Sequence, residues 1–458
     1  MRIIFLENQY QTYFWSAIAE RMIRDGHQVD WIVQNPGFRP TAGTAHILSF
    51  PSSGKIAPAS DVVFEKLRSQ DRNRQHFGGN DAHYQHYFRE IRSLLDSLDP
   101  AVAFGETTLF HELITAAECE VRGIPYFHPS SNRYPNSRFS FYLYATLVPF
   151  AGSAEQLSDE EADEIIAAIV DRKTVPIYMQ PKPSTGTIRN AWCKIADKWS
   201  RTVWYWKGER FNTPSPKRKL ALERELIENL ESWGRLVKDR GLPERGRFRI
   251  LFPLQMKPES NLDVWGWPHS NQAALLRDLV AATDATTEIL IKLNPHAKYE
   301  MSKELLEVAR SNQRVIPVAS GVSMKALFRE ADMIFTVTGT VAIEATLSHK
   351  PVVTMAHTPL NRFPGCVAMQ DVREIRVWVD KVRSGIFPAN QKEEDRALMR
   401  WLVATSYSGS PSNPRGLNHA LEEDHVDKVY AGFVDLLKKL EGYAPSDRTQ
   451  EIAGMCSQ

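Results

Sequence analysis

The residues best suited to bind an anion form the segment Thr338-Gly339-Thr340, with Glu344 four residues further along. A short apolar run at 333–337 precedes this turn, and a helical pattern follows it. Backbone N–H groups and two hydroxyls at a helix start favour a bound anion, because the helix dipole is positive there. A nearby carboxylate can accept hydrogen bonds from sugar hydroxyls. The combination indicates a nucleotide-type ligand, although threonine at a helix start is also an ordinary cap.

Two further loops in the C-terminal half follow predicted strands, where open α/β sheets bind their ligands. One loop follows strand 248–252 and the other follows strand 288–293. Their polar candidates are Gln255, Lys257, Glu259, Lys292, Asn294 and His296. Two amides, two lysines, an imidazole and a carboxylate suit a phosphate, a ribose and a base. Each loop alone could be turn chemistry, because proline commonly ends a strand, but three loops at one sheet edge favour a single binding site.

These candidates require strands whose carboxyl ends lie at a common edge. The N-terminal half alternates strand and helix, starting with strand 2–6, helix 13–25 and strand 28–33. After an interruption, the alternation resumes at 248–252 and continues to strand 351–354. Such alternation is typical of parallel sheets covered by helices. The sequence therefore predicts an α/β protein with two Rossmann-like lobes, a ligand cleft between them and a helical connector.

The composition changes define the predicted domain boundaries. They are an N-terminal lobe at 1–175, a helical connector at 176–245, a C-terminal lobe at 246–420, a C-terminal helix at 421–442 and a disordered tail at 443–458. The connector contains a tryptophan-rich, basic helix in which Trp192, Trp199 and Trp206 recur every seven residues. These residues form one stripe. The spacing favours packing on a lobe, and the alternative is peripheral contact with a membrane interface.

The composition also excludes several classes of protein. A formal net charge of +1 gives no reason to expect a nucleic-acid partner. The four cysteines show no CxxC spacing, so neither a zinc site nor a disulfide framework is indicated, and a reducing compartment follows. The first apolar run is too short for a signal peptide, and none is long enough to span a bilayer. We expect a cytoplasmic protein with at most a peripheral membrane association.

Residues 248–356 resemble the bacterial capsular and surface-polysaccharide glycosyltransferases, a group that includes the β-Kdo transferases of capsule export and has the GT-B fold. The resemblance rests on the FPLQ…PE loop, the strand ending in Lys-Leu-x-Pro, and TGTVAIEA followed by KPVV. It implies that the donor nucleotide binds the C-terminal lobe and the acceptor the N-terminal lobe.

Carried over residue by residue, the resemblance implies a donor site. The Thr-Gly-Thr turn would hold the donor phosphate and Glu344 a ribose hydroxyl, with Gln255 and Glu259 bordering the same pocket. The group usually has His-Pro directly after Lys-Leu, and that histidine donates to the donor phosphate. Here Asn294 holds the position, and the imidazole follows the proline at His296. Either Asn294 donates a neutral hydrogen bond or His296 reaches in from the next turn, so the donor stays open, with CMP-Kdo as one candidate.

An inverting transfer also requires a group that deprotonates the acceptor hydroxyl from within about 3 Å. Glu106, after the predicted strand 101–104, is the first candidate for this base, and Glu7 is the second. A solvated loop carboxylate is the alternative interpretation of Glu106. The segment after predicted strand 124–127 is interpreted as a polar loop that binds the acceptor. Its candidate residues are His128, Ser130, Ser131 and Arg133.

The sequence therefore predicts an inverting glycosyltransferase that moves a sugar from a nucleotide-activated donor to a surface or capsular glycan. The acceptor is a free or lipid-linked glycan, reached at the inner face of the inner membrane. Metal-using sugar transferases hold a divalent ion with a DxD at a strand end, which the predicted strand ends lack, so neither metal nor cofactor is expected. Two alternatives stay open: a nucleotide-sugar 2-epimerase of similar fold, and a non-catalytic module that binds a nucleotide or glycan.

Overall fold

The structure is a computed structural model that describes residues 1–51, 62–79, 82–147, 149–176, 188–411, 413–414 and 420–441. The chain divides into two compact units. The first unit comprises Met1–Gln156, Pro176–Pro216 and Trp401–Gln458. The second comprises Leu157–Val175 and Lys217–Arg400.

The strands in chain order are β1 (Arg2–Leu6), β2 (Gln28–Val33), β3 (Thr44–Ile47), β4 (Val102–Phe104), β5 (Tyr126–Ser131), β6 (Arg138–Leu143), β7 (Phe248–Pro253), β8 (Thr287–Lys292), β9 (Val315–Val318), β10 (Met333–Thr336), β11 (Val352–Thr354), β12 (Cys366–Ala368) and β13 (Tyr407–Ser408). The α-helices are α1 (Gln11–Arg24), α2 (Val62–Gln70), α3 (Tyr84–Leu98), α4 (Phe110–Arg122), α5 (Asp159–Val170), α6 (Ile188–Lys207), α7 (Pro216–Arg240), α8 (Ser260–Asp263), α9 (Gln272–Ala282), α10 (Lys303–Ser311), α11 (Met324–Glu330), α12 (Val341–Leu347), α13 (Ile375–Arg383), α14 (Lys392–Ala404) and α15 (Glu423–Glu441).

The first unit is built on a seven-stranded sheet with the order β13-β6-β5-β4-β1-β2-β3. Strands β1 to β5 pair in parallel, whereas β6 and β13 are antiparallel to their neighbours. Aromatic rings fill its core, with the Phe5 centroid 5.1 Å from that of Trp31 and 5.3 Å from that of Phe104. The C-terminal helix α15 completes this core, since the ring of Phe433 lies 4.9 Å from that of Phe104.

The second unit is built on a six-stranded sheet with the order β12-β11-β10-β7-β8-β9, and every pair in it is parallel. Its strands are buried on both faces, as parallel strands between helices are expected to be. Phe252, Leu276 and Phe335 lie in its core. The predicted fold class, α/β with two Rossmann-like parts, is confirmed.

The boundaries of the two units differ from the predicted ones. Helix α5 groups with the second unit rather than with the predicted N-terminal lobe. The predicted connector is divided, because α6 groups with the first unit and α7 with the second. Residues 401–420 and α15 group with the first unit, and the predicted tail at 443–458 lies outside the described residues. The order of segments along the sequence does not show which unit each segment joins, because contacts between segments distant in the sequence decide this grouping.

A buried arginine holds the start of the second sheet together. Arg249 in β7 is fully buried. Its Nε donates to Glu288 at 3.0 Å, its Nη1 to Glu330 at 2.6 Å, and its Nη2 to the carbonyl of Pro243 at 2.6 Å. The guanidinium therefore links neighbouring strand, helix and loop through charge-assisted hydrogen bonds.

Replacing Arg249 with alanine should lower the free energy of unfolding of the second unit by about 3–5 kcal/mol, because the carboxylate of Glu288 is left buried and unpaired. Urea unfolding followed by circular dichroism measures this loss. Arg277→Ala is the matched control, since its ion pair with Glu304 is exposed and such pairs contribute at most about 1 kcal/mol. An equal loss in both variants would contradict the assigned role of Arg249.

Candidate functional site

The Thr-Gly-Thr turn leaves the second sheet between β10 and α12 and is braced by one amide. Gln255, which follows the neighbouring strand β7, donates from Nε2 to Thr338 Oγ1 at 2.8 Å. Its Oε1 accepts the backbone N–H of Thr338 at 3.0 Å. Thr338 Oγ1 in turn donates to the carbonyl of Asn261 at 2.8 Å. Gln255 and Thr338 are thus occupied in shaping the turn, which leaves Gly339 and Thr340 as the turn residues placed to meet a ligand.

The brace is itself held in position. The backbone N–H of Gln255 donates to the side chain of Gln272 at 2.8 Å, and Gln272 Nε2 returns a 2.8 Å bond to the Gln255 carbonyl. A Cβ atom on Gly339 would lie 3.0 Å from Thr336 Oγ1, so the turn is tight at this point. Thr340 makes no side-chain cap hydrogen bond to α12, so the ordinary capping interpretation of this threonine is not realised.

Glu344 lies on α12 and is 5% exposed. Its Oε2 accepts from Nη1 of Arg172, which follows helix α5. Arg172 is not among the site residues predicted from the sequence, because α5 lies far from α12 along the chain. The carboxylate proposed for the ribose is therefore ion-paired in this structure.

Lys292 ends strand β8 and is 6% exposed. Its Nζ donates to the carbonyl of Ser320, in the loop after β9, at 2.8 Å. Burial lowers the pKa of Lys292, and the charge of Arg172 lowers it further. The second unit thus has two cations and one carboxylate in electrostatic contact at the carboxyl edge of its sheet.

Lys257 and Glu259, in the loop after β7, contact a different set of groups from those around Lys292 and Glu344. Nζ of Lys257 lies 3.4 Å from Oδ1 of Asp263 in α8, and Asp263 also accepts the backbone N–H of Glu259 at 3.0 Å. The carboxylate of Glu259 accepts from Asn261 at 2.8 Å. Burial raises the pKa of Glu300, which accepts the backbone N–H of Lys257, to about 6. Hydrogen bonds and an ion pair to the carboxylates of Asp263, Glu259 and Glu300 thus order the loop after β7.

Asn294 and His296 form a turn after β8. The side-chain oxygen of Asn294 accepts the backbone N–H of His296 at 2.8 Å. Asn294 is half-buried, whereas His296 is exposed. The turn therefore brings Asn294 closer to the sheet edge than His296.

In the first unit, β1 and β4 are neighbours, and their carboxyl ends bring an amide and two glutamates together. Nδ2 of Asn8 lies 3.2 Å from Glu106 Oε2, 2.9 Å from Glu112 Oε1 and 2.9 Å from Thr108 Oγ1. Sequence reasoning missed Asn8, although a polar residue directly after the first strand was a usable signal. Glu112, on the first turn of α4, is fully buried.

The two glutamates, Glu106 and Glu112, differ in their hydrogen-bond donors. Glu112 accepts the backbone N–H of Glu106, Thr108 and Leu109 at 3.1, 3.1 and 2.9 Å, and burial nevertheless raises its pKa. Glu106 is only half-buried and has Asn8 as its side-chain donor. Burial, followed by the charge of Glu112, raises the pKa of Glu106 from 4.5 to about 8. The pKa values of both glutamates are thus raised, and Glu106 has fewer hydrogen-bond donors than Glu112.

Glu7 occupies a more interior position, being 1% exposed. Its carboxylate accepts the backbone N–H of Asn35 at 2.9 Å and that of Gln9 at 2.6 Å. Burial raises its pKa to about 8. His111 Nε2 donates to the Glu7 carbonyl at 2.8 Å, and burial lowers the pKa of this histidine to about 4. The structure therefore favours Glu106 over Glu7 for contact with a substrate.

The predicted acceptor loop is wrong in its secondary structure, because β5 continues to Ser131. His128, Ser130 and Ser131 lie within a strand paired with β6, where backbone hydrogen bonds order a segment that looks polar in sequence. His128 is buried and bonds Thr107 at 2.8 Å. Ser131 bonds the carbonyl of Pro411 at 2.9 Å.

Arg133 follows strand β5, beyond its last paired residue, and its side chain is half-buried. Burial, and then the charge of Arg133, lowers the pKa of His128 to about 3. Of the predicted acceptor residues, Ser130, Ser131 and Arg133 are half-buried, and Ser131 is bonded to the C-terminal segment. Because β5 pairs with β6, fewer of the predicted acceptor residues lie in a loop than the sequence indicated.

The second unit also matches a known family. Residues 217–392 match the family of capsule polysaccharide biosynthesis proteins. The match covers β7 to α13, the turn at Gly339, Glu344 and Lys292, and it confirms the predicted resemblance to the bacterial capsular polysaccharide glycosyltransferases. Arg172 and the first-unit carboxylates lie outside the matched residues.

No curated protein sequence matches the chain. Among solved structures, the chain is similar to the β-Kdo 2,7-transferase KpsC of Thermosulfurimonas dismutans, with 10% identity over 95% of this chain and 99% of that one and a TM-score of 0.38. It is also similar to the UDP-N-acetylglucosamine 2-epimerase of Rickettsia bellii (12%, 96% and 97%, TM-score 0.29) and to the calicheamicin glycosyltransferase CalG4 (13%, 93% and 98%, TM-score 0.27). At these values the likeness says nothing about the activity of this chain.

Neither a metal-binding cluster nor a membrane-spanning helix occurs in the part of the chain that the structure describes. No group of three or more histidine, cysteine, aspartate or glutamate side chains is arranged to hold a metal ion among those residues. Within the same residues, no helix has both the length and the apolar character that crossing a bilayer requires.

The raised pKa of Glu106 predicts how the stability of the first unit depends on pH. Its folded pKa of about 8 lies above the ordinary 4.5, so the folded state holds an extra proton between these values. Stability from this group is complete at low pH and is lost as pH rises through this window, by up to about 1.4 kcal/mol per pH unit. Glu106→Gln should flatten this decline and stabilise the unit at pH 8.5, as measured by urea unfolding from pH 5 to 9.

Glu120→Gln, on the exposed face of α4, is the matched control and should follow the wild-type pH dependence. An unchanged slope in Glu106→Gln would show that Glu106 does not take up the extra proton.

Proposed function

We propose that this protein is a glycosyltransferase that transfers a sugar from a nucleotide-activated donor to a bacterial surface or capsular glycan. The observation that carries the proposal is the placement of Lys292, Gly339 and Glu344 at the carboxyl edge of the sheet within the segment that matches the capsule biosynthesis family. That edge is where open parallel sheets bind ligands. A buried ammonium beside a tight turn suits a phosphate, and the neighbouring carboxylate suits a ribose.

The donor site is assigned to the second unit. Gly339 and Thr340 would donate backbone N–H groups to the donor phosphate, with Lys292 as the cation. Glu344 would accept from ribose hydroxyls. Gln255 and Thr338 support the turn through their mutual hydrogen bonds, rather than by touching the donor.

Three loop residues border this donor site. Lys257 and Glu259 are proposed to line the side formed by the loop after β7. Asn294, being half-buried, is a better substitute for the phosphate-binding histidine of the group than the exposed His296. The amide of Asn294 would supply a neutral donor where the group uses an imidazole.

Glu106 is the proposed general base. As a carboxylate it would take the proton of the acceptor hydroxyl while the acceptor oxygen forms a bond to the anomeric carbon. The bond from that carbon to the phosphate oxygen breaks, and the leaving phosphate departs with the electron pair. Attack opposite the leaving group inverts the anomeric centre. Lys292 and the turn N–H groups would stabilise the charge that develops on the phosphate.

The acceptor is assigned to the first unit with Glu106. Ser130 and Arg133 are the proposed acceptor contacts, while His128 and Ser131 hold β5 through their bonds to Thr107 and Pro411. Glu7 is the second candidate for the base. Asn8 would position Glu106 through its 3.2 Å hydrogen bond.

Replacing Glu106 with glutamine should lower the transfer rate by about 10²- to 10⁴-fold, the usual contribution of a general base. Wild-type turnover should rise with pH up to about 8, because the base must lose its proton, whose pKa is raised to about 8. Product analysis after incubation with capsular acceptor oligosaccharides measures turnover. A thermal-shift screen with CMP, UDP, GDP and CDP both identifies the donor nucleotide and checks that the variant still binds it.

Glu120→Gln serves again as the control and should keep wild-type turnover. Unchanged turnover in Glu106→Gln would remove Glu106 from the mechanism. Sugar epimerisation of a nucleotide sugar in the absence of acceptor would instead support the 2-epimerase alternative. Nucleotide binding without turnover of any sugar would support the non-catalytic module.

We further infer that helix α6 brings the enzyme to a membrane carrying a lipid-linked acceptor. The predicted packing of its tryptophan stripe is wrong for Trp199 and Trp206, which are 71% and 69% exposed, and Ile195 on the same face is 59% exposed. The side chain of Trp192 lies outside the described residues. Trp204, in contrast, packs directly against Gly37.

Polar side chains of α6 also attach it to the first unit. Asp197 accepts from the hydroxyl of Tyr10, and Arg201 donates to Gln9 at 3.2 Å. Asp197 is the only acidic residue in the α6 sequence, whereas Lys198 and Lys207 are exposed. Exposed tryptophans beside exposed lysines suit an interface of anionic lipids, such as the inner face of the inner membrane.

The double variant Trp199→Ser/Trp206→Ser should bind vesicles containing anionic phosphatidylglycerol at least about tenfold more weakly than the wild type, because two apolar side chains are removed from the interface. Cosedimentation with such vesicles, and with purely zwitterionic ones, measures this loss. Trp267→Ser, an exposed tryptophan of the second unit, is the matched control. Wild-type vesicle binding by the double variant, or a change in its oligomeric state instead, would contradict the inference.

A further inference from the structure

We propose that Arg172 and Lys292 together form the binding site for the anionic phosphate of the donor, and that helix α5 exists in the second unit to deliver Arg172 to it. This inference rests on the proposed donor site. It adds a ligand-binding residue that lies outside the matched family segment and 120 residues before its partner Lys292.

Helix α5 is fixed to the second unit by ion pairs along its length. Near its start, Asp159 accepts from Arg396 at 2.7 Å, and Asp163 accepts from the same guanidinium at 2.7 Å. Just beyond its end, Asp171 pairs with Lys325 at 3.2 Å. The backbone that leads to Arg172 is thereby held, so the guanidinium is placed and not left to solvent.

The conformation of Arg172 is also specific. Its φ of 56° lies in the left-handed region, which a residue with a side chain adopts at an energetic cost. Its N–H donates to the carbonyl of Ile169 at 2.9 Å, which ends α5. The side chain then reaches Glu344 and is only 20% exposed. A costly backbone conformation that places a charge at a sheet edge is a feature typical of functional sites.

The charges at this place do not balance without a ligand. Arg172 and Lys292 carry two positive charges, and Glu344 carries one negative charge. Lys292 is 6% exposed, its hydrogen-bond partner is the neutral carbonyl of Ser320, and no carboxylate of the described residues forms an ion pair with it. A buried ammonium is costly unless an anion neutralises it. A phosphate bound between Arg172 and Lys292 would supply that charge.

The contact of Arg172 with Glu344 then has a role in binding. Without a donor, the guanidinium neutralises the carboxylate. When a nucleoside phosphate binds, the guanidinium turns its donors to the phosphate, and Glu344 accepts from the ribose instead. Both groups exchange one partner for another of matching charge or polarity, so neither is left buried and unpaired.

Titration with inorganic pyrophosphate tests the anion site without a nucleoside. The wild type should bind it with an affinity that falls as salt is added. Arg172→Ala should weaken binding at least about tenfold, as expected for the loss of a charged hydrogen bond. Glu344→Gln should bind pyrophosphate as tightly as the wild type or more tightly, because it removes the competing carboxylate. Lys173→Ala, an exposed neighbour, should match the wild type.

The opposite signs of the two variants separate ligand contact from a structural role. If Arg172 merely positioned Glu344, both variants would lose pyrophosphate binding together, and the inference would be overturned. It would also be overturned if Arg172→Ala bound pyrophosphate normally, or if the wild type bound none. Arg172→Lys, which keeps the charge, provides the comparison if the alanine variant melts at a lower temperature, and it should bind between the wild type and alanine.

The outcomes also distinguish this inference from the proposed function. Sugar transfer by a protein whose Arg172→Ala variant binds pyrophosphate normally would retain the function and remove the inference. Pyrophosphate binding that depends on Arg172, in a protein that transfers no sugar, would do the reverse.

Discussion

Parallel strand pairing is the constraint on which both candidate sites depend. In the second unit, β7 lies between β8 and β10, so the segments that leave these strands emerge at one edge. There Gln255 can bridge to Thr338 while Lys292 ends the adjacent strand. In the first unit, the pairing of β1 with β4 brings Asn8 to Glu106 in the same way. A crossover helix separates the strands in sequence, yet hydrogen bonding returns their ends to one place.

The cost of burying charge explains how each site is organised. Three backbone N–H groups donate to Glu112 and oppose the rise that burial causes in its pKa, and the charge of Glu112 helps to hold a proton on Glu106. In the second unit, Arg172 neutralises Glu344, while Lys292 is buried with a carbonyl partner. Each site therefore contains one carboxylate with charged or multiple hydrogen-bond partners, Glu112 or Glu344, and one ionisable group with fewer partners, Glu106 or Lys292. Such incomplete pairing is where binding and proton transfer are expected.

Much of the fold was predictable, because buried parallel strands and amphipathic helices leave strong periodic signals. Strand β1 and strand β2 begin and end where the alternation predicts. The short edge strands β3, β12 and β13 were not predicted, since few residues carry their signal. Strand β5 was predicted too short, because His128 and the serines are polar yet pair with β6. Hydrophobic pattern detects burial, and it misses pairing that backbone hydrogen bonds alone create.

The sequence by itself determined the alternation of strands and helices, the three loops of the donor half and the family to which they are related. Those features are local, so residue type and spacing encode them. Only the tertiary structure decided that Gln255 supports a turn, that Trp199 faces outward and that Arg172 meets Glu344. Each of these depends on a contact, or its absence, between segments far apart in the chain. Local periodicity carries no information about such contacts, because packing and charge neutralisation select them after the elements form.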